Sequence, residues 1–168
     1  EGNDLPKNSY DGVFVENGSL TANSTFTVNF SGLANDQNET FSSMVKSYAV
    51  RVDGSGAQGS SAQSGASFSA TNLKIFVNEN ADGGGLYVKD GSITLDTAEI
   101  AAQGFGIAMR GESGDNVTIN TTLTLTSRKT TGIYITGGSL TLNGETTVNS
   151  TINAGYAFWE GNDLPKNS

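Results

Sequence analysis

The chain has 168 residues, no cysteine, no histidine and a formal net charge of −8. That excludes disulfides, Cys/His zinc centres, cysteine nucleophiles and histidine general bases. It also argues against nucleic acid and anionic membrane as partners, since both call for basic patches.

Residues 1–9 (EGNDLPKNS) return letter for letter as residues 160–168. This identity reads as one unit of a tandem array: a joint or cap at 1–9, a repeat unit over 10–159, and the start of the next unit at 160–168. The Leu5–Pro6 step, repeated as Leu164–Pro165, marks a break in strand structure at the joint.

Inside the unit a shorter motif recurs. Gly12 to Asn23 (GVFVENGSLTAN) opens the series, Gly85 to Asp96 (GLYVKDGSITLD) matches it without a gap, and Gly132 to Asn143 (GIYITGGSLTLN) is the clearest copy. Degraded copies begin at Ala49, Gly106 and Ala157, and the steps from one copy to the next are uneven. In each copy a period-two run such as Ile133-Tyr134-Ile135 predicts a short strand with one buried face. Asn17–Gly18, Asp90–Gly91 and Gly137–Gly138 then turn the chain, because these residues tolerate positive φ. Leu140 and Leu142 predict a second short strand, Asn143 a corner, and Val148 with Ile152 a third. The longer steps, Gly12 to Ala49 and Ala49 to Gly85, predict insert loops near 31–47 and 53–67, the latter rich in Gly and Ser. The step from Ala157 to the Gly12 of a following unit is shorter than any of these, which predicts an irregular joint rather than a full coil.

These patterns predict one all-β domain: a right-handed, single-stranded parallel β-helix (β-solenoid) with about three short strands per coil. Stacked coils would put Val13, Val50, Leu86, Ile107, Ile133 and Phe158 in one inward row. Val15, Val52, Val88, Met109 and Ile135 would form a second. The rival is an antiparallel sandwich with hairpins at the Asn-Gly and Asp-Gly turns; strand direction separates the two.

The segments 12–29, 85–100 and 132–151 resemble passenger domains of bacterial autotransporters and related secreted adhesins. The resemblance implies a parallel β-helix displayed at the cell surface, serving adhesion, aggregation or a fibre shaft. It carries over no functional residue.

Between the inward rows runs Phe14, Arg51, Tyr87, Ala108, Tyr134 and Trp159. If the flanking residues point in, this row points out, and exposed aromatics stack on sugar rings or on apolar partner surfaces. Phe14, Tyr87, Tyr134 and Trp159 are therefore the candidate ligand or partner contacts. Tyr48, Phe105 and Tyr156 precede the strand motif and are expected to close the core at a corner. Thr21, Thr94 and Thr141, and Asn23, Asp96 and Asn143, are expected to form ladders. No cofactor is implied. A weak calcium site stays open at Asp82–Gly85 and Asp53–Gly56, without the tandem nonapeptides of calcium solenoids. The carboxylates are scattered, with Asp90 and Asp96 in turns and Glu112 and Asp115 after Arg110, so no catalytic pair is expected.

The expected function is a structural or adhesive repeat unit of an extracellular bacterial surface fibre or adhesin. Its partners would be neighbouring repeats or subunits end to end, and a host or bacterial surface glycan or protein. No contact with nucleic acid or membrane is expected. The alternatives are a self-assembling architectural filament subunit and a polysaccharide-processing β-helix enzyme.

Overall fold

The computed structural model describes residues 11–31, 47–54, 65–79, 83–110, 114–150 and 158–160. Twelve strands lie in these segments. The short ones are β1 (Val13–Val15), β3 (Tyr48–Asp53), β5 (Gly84–Lys89), β7 (Ile107–Met109), β9 (Ile133–Ile135) and β12 (Phe158–Glu160). Between them run β2 (Ser19–Phe30), β4 (Ala66–Val77), β6 (Gly91–Ala102) and β8 (Asn116–Ser127), each of 12 residues. The last circuit carries β10 (Ser139–Leu142) and β11 (Glu145–Ser150) instead.

The chain alternates between two sheets. The short strands form one, in the order β1-β3-β5-β7-β9-β12. The long strands form the other, β2-β4-β6-β8, with β10 and β11 both pairing β8. Every described pairing is parallel, which removes the antiparallel sandwich.

The predicted right-handed β-helix with about three short strands per coil is corrected by these strands. They reach 12 residues and lie in two sheets, so each circuit before the last contributes one short and one long strand. The reason lies at the corner residues. Ile93 and Leu95 point inward, Asp96 and Thr97 do not, and Ala98, Ile100 and Ala102 point inward again. Taken locally, this slip of phase suggests a break between two strands. The ladder absorbs it as a register shift at Leu95/Thr97, and again at Ala22/Thr25 in β2. Only the final circuit is interrupted, at Asn143–Gly144, where a Cβ on Gly144 would run into the Thr121 carbonyl.

Among the residues whose side chains are described, the expected inward rows line a shared interior. Val13 pairs with Val50, Val50 with Leu86, Leu86 with Ile107, Ile107 with Ile133, and Ile133 with Phe158. Val50, Leu86 and Ile107 are fully buried. The long strands close the other side with Phe68, Leu73, Ile75, Ile93, Leu95, Ile100, Ile119 and Leu125. The core is sealed along its middle and half-open at its ends. Val13, Val15, Leu20, Ala22 and Phe26 at one end, and Leu140, Leu142 and Val148 at the other, are only partly buried. Most of the two expected insert loops, and both copies of EGNDLPKNS apart from Glu160, lie outside the described residues.

Candidate functional site

The outer face of the short-strand sheet is where the sequence places its contact residues, and the register agrees with that row. Phe14 pairs with Arg51, Arg51 with Tyr87, Tyr87 with Ala108, Ala108 with Tyr134, and Tyr134 with Trp159. Their environment differs from the expectation of an exposed stripe. Tyr87 is 8% exposed and Tyr134 3%. Phe14 is half-buried, and Trp159 is described only by its place in β12.

The burial has a local cause. Tyr48 and Phe105 sit where the chain enters a short strand and, with Tyr87, Ala108 and Tyr134, form a second apolar cluster outside the main core. The Tyr48 and Tyr87 ring centroids are 5.0 Å apart and tilted. Phe105 stacks on Tyr134 at 4.9 Å, within the separation favoured by aromatic pairs. Small residues make room for these rings. A Cβ on Gly84 would collide with the Tyr48 ring, and Ala108 stands between the two tyrosines of its row. Tyr48 and Phe105 thus close a satellite cluster, where the sequence suggested an end to the main core. Tyr156 lies outside the described residues.

Charged groups complete this face. The Arg51 guanidinium lies 4.4 Å from the Tyr87 centroid and 5.3 Å from that of Tyr48. Arg110 lies 5.7 Å from the Tyr134 centroid. Asp11 joins the first two circuits: its Oδ1 accepts from the Tyr48 backbone N–H and its Oδ2 from Arg51 Nε, both at 2.7 Å. Burial pushes the Asp11 carboxyl above the usual carboxylate range, outweighing the pull of Arg51 and the two hydrogen bonds. Burial likewise drives the Tyr48 and Tyr87 hydroxyls upward. The Tyr48 hydroxyl is fully buried and has no hydrogen-bond partner among the described residues. Sequence reasoning placed Arg51 in the row but missed its pairing with Asp11. The signal was a carboxylate just ahead of the first strand, one circuit below an arginine.

The outer face of the long-strand sheet stays in water. Ser19, Ser67, Ser92, Asn116 and Ser139 form one row across it, and Thr21, Ser69, Thr94, Thr118 and Thr141 the next. The corner ladder forms in part: Asn143 Nδ2 donates to Asn120 Oδ1 and Asn120 Nδ2 to Asp96 Oδ1. Phe76, 38% exposed, is the one large hydrophobic side chain exposed among the described residues.

The calcium candidates fall partly outside the described residues. Asp82 and residues 55–56 lie outside the described residues, and among those described no three acidic side chains gather. Asp115 is buried and its Oδ1 accepts from the Gly91 N–H at 3.3 Å, tying one inter-sheet turn to the next. Glu112 is not among the described residues, Asp90 occupies a left-handed turn with φ 53°, and Asp96 is exposed. Comparison of the chain with family models, curated proteins and solved structures finds no match in any of the three.

Proposed function

We propose that the chain is a structural repeat unit of an extracellular bacterial surface fibre or adhesin, and that its contribution is a stiff segment of shaft. One observation carries this reading. Two parallel ladders run in step through successive circuits, and the apolar core between them is left half-open at both ends. A quasi-one-dimensional stack of this kind gains stability from each neighbour added to it. The repeated EGNDLPKNS supplies the neighbour in sequence. Glycan or protein contact through the aromatic row loses support, because Tyr87 and Tyr134 are buried. The shaft reading needs no such surface.

Chains of one, two and four units test it by small-angle scattering. Five short strands from β1 to β9, at about 4.8 Å each, add roughly 24 Å per unit. The cross-section is expected to stay constant while the length rises in proportion to unit number. A cross-section that grows with unit number, or a maximum dimension that rises as a flexible string of beads, overturns the reading.

A further inference from the structure

The last strand of the short ladder does not match the ladder it joins. β12 pairs β9 with Phe158 on Ile133, Trp159 on Tyr134 and Glu160 on Ile135. The register position of Ile135 is held in the strands before it by Val15, Val52, Val88 and Met109, of which the last three are fully buried. Glu160 thus puts an acidic residue at a register position that is otherwise apolar. β12 adds a strand beyond β9 in the short-strand sheet, while no described strand lies beyond β10 and β11 in the other.

β1 and β2 fit the same edge at most of their inward positions, with Phe26 and Phe30 falling on Thr146 and Ser150. The step from Val13 to Ile133 equals the step from Ser19 to Ser139 and from Phe30 to Ser150. One constant offset therefore lays β1 over β9 and β2 over β10 and β11. Along it Val13 meets Ile133, Val15 meets Ile135, Leu20 meets Leu140, Ala22 meets Leu142 and Val28 meets Val148. All of these are apolar and, apart from the buried Val28, Ile133 and Ile135, only partly buried at the two ends. The inter-sheet turns match as well: Gly18 and Gly138, which share the offset, both have positive φ, 103° and 85°.

Spacing agrees. In a following unit that starts at Glu160, the step from Ile133 to the next Val13 is nearly the same as the steps from Val13 to Val50 and from Val50 to Leu86. The step from Phe158 to that Val13 is far shorter, with too little chain for a circuit that carries a 12-residue strand such as β6.

We infer that the β9–β10–β11 edge is a docking site for β1 and β2 of a second copy of this chain, and that β12 is a displaceable strand occupying the β9 part of that site. Displacement of β12 lets the second copy cover the half-open core end formed by Leu140, Leu142 and Val148. The contact is head-to-tail, so it does not close on itself and propagates as a filament. Exposed ladder edges are templates for this kind of pairing. The inference rests on the repeat-unit reading but is tested separately, because lengths of covalently joined units are measured without reference to association between chains.

Sedimentation of the full chain over a concentration series provides the test, with circular dichroism to confirm the β fold of each variant. Phe158→Asp weakens β12 in its place and is expected to tighten self-association by about tenfold or more. Glu160→Val restores the apolar row and is expected to weaken association by a similar factor. Val13→Asp spoils the docking strand but leaves the β9 edge intact. It is expected to remain monomeric alone and to shorten Phe158→Asp assemblies when added at low ratio. Phe158→Asp that stays monomeric at every concentration, or that associates and is unaffected by Val13→Asp, overturns the inference. So does a Glu160→Val variant that associates as tightly as the parent chain.

Discussion

The two outer faces of this molecule start from the same alternation of residues and end in opposite environments. On the long-strand sheet the outward positions are mostly Ser, Thr and Asn, and they stay at or near the surface. On the short-strand sheet the outward positions at Tyr87 and Tyr134 are taken into a second cluster with Tyr48 and Phe105. Period-two patterning tells which residues leave the main core. It does not tell whether water or another layer meets them. The answer depends on residues at the strand entries, whose rings fold over the row, and on Gly84 and Ala108, which leave space for them.

The strongest way to break this comparison is to truncate one residue on each face. Tyr134→Ala removes a buried ring stacked on Phe105 and is expected to cost about 3–5 kcal/mol, as for other buried aromatics cut to alanine. Thr124→Ala, at an exposed outward position of β8, is expected to stay within about 0.5 kcal/mol. Urea unfolding of the two variants measures the gap. Equal, small losses would mean that the Tyr134 ring stands at the surface after all.

Alkaline titration sharpens the same contrast with a smaller effect. Tyr48 and Tyr87 are held protonated by burial, so the folded state keeps protons that the unfolded chain releases above the ordinary tyrosine value of 10.0. The sign follows from linkage. Their contribution is fully present below that pH and is lost as pH rises above it, by about 1.4 kcal/mol per pH unit for each tyrosine still protonated in the fold. Tyrosinate absorbance from these two residues is expected to appear together with loss of the β signal in circular dichroism. In Tyr48→Phe/Tyr87→Phe the alkaline fall in stability is expected to become shallower. An unchanged slope would place both hydroxyls in water.

Much of the ladder was legible because a strand repeat needs only residue type and spacing. Val13, Val50, Leu86, Ile107 and Ile133 could be aligned by eye, and the pairing follows that alignment. The number of strands per circuit was not legible, because Asn143, Asp96 and Asn23 favour a corner locally while the neighbouring strands decide whether the ladder breaks there. At Asp96 the register shifts and the strand continues. At Asn143, with Gly144 after it, the strand stops. The candidate site was legible as a row and illegible as a surface. The Arg51–Asp11 pair is 40 residues apart in sequence and joins two circuits, so it shows only once the circuits are aligned on each other.

The smallest expected effect lies on the wet face. Lys74 Nζ and Glu99 Oε2 are 3.0 Å apart on adjacent long strands, with side chains 38% and 48% exposed. Water and salt screen such a pair, and ordering two flexible side chains offsets much of its attraction. Lys74→Ala and Glu99→Ala are each expected to shift stability by less than about 0.5 kcal/mol, and the shift is expected to vanish at high salt. The Arg51–Asp11 pair on the opposite face, at 14% and 6% exposure, supplies the control. Removing Asp11 takes one carboxylate from a largely buried guanidinium, a loss that salt does not screen and that is expected to reach about 1.5–3 kcal/mol, as for hydrogen bonds to charged groups. A double-mutant cycle at each pair, run at low and high salt, checks the difference. A salt-sensitive Arg51–Asp11 coupling as small as that of Lys74–Glu99 would show that both faces meet the same solvent.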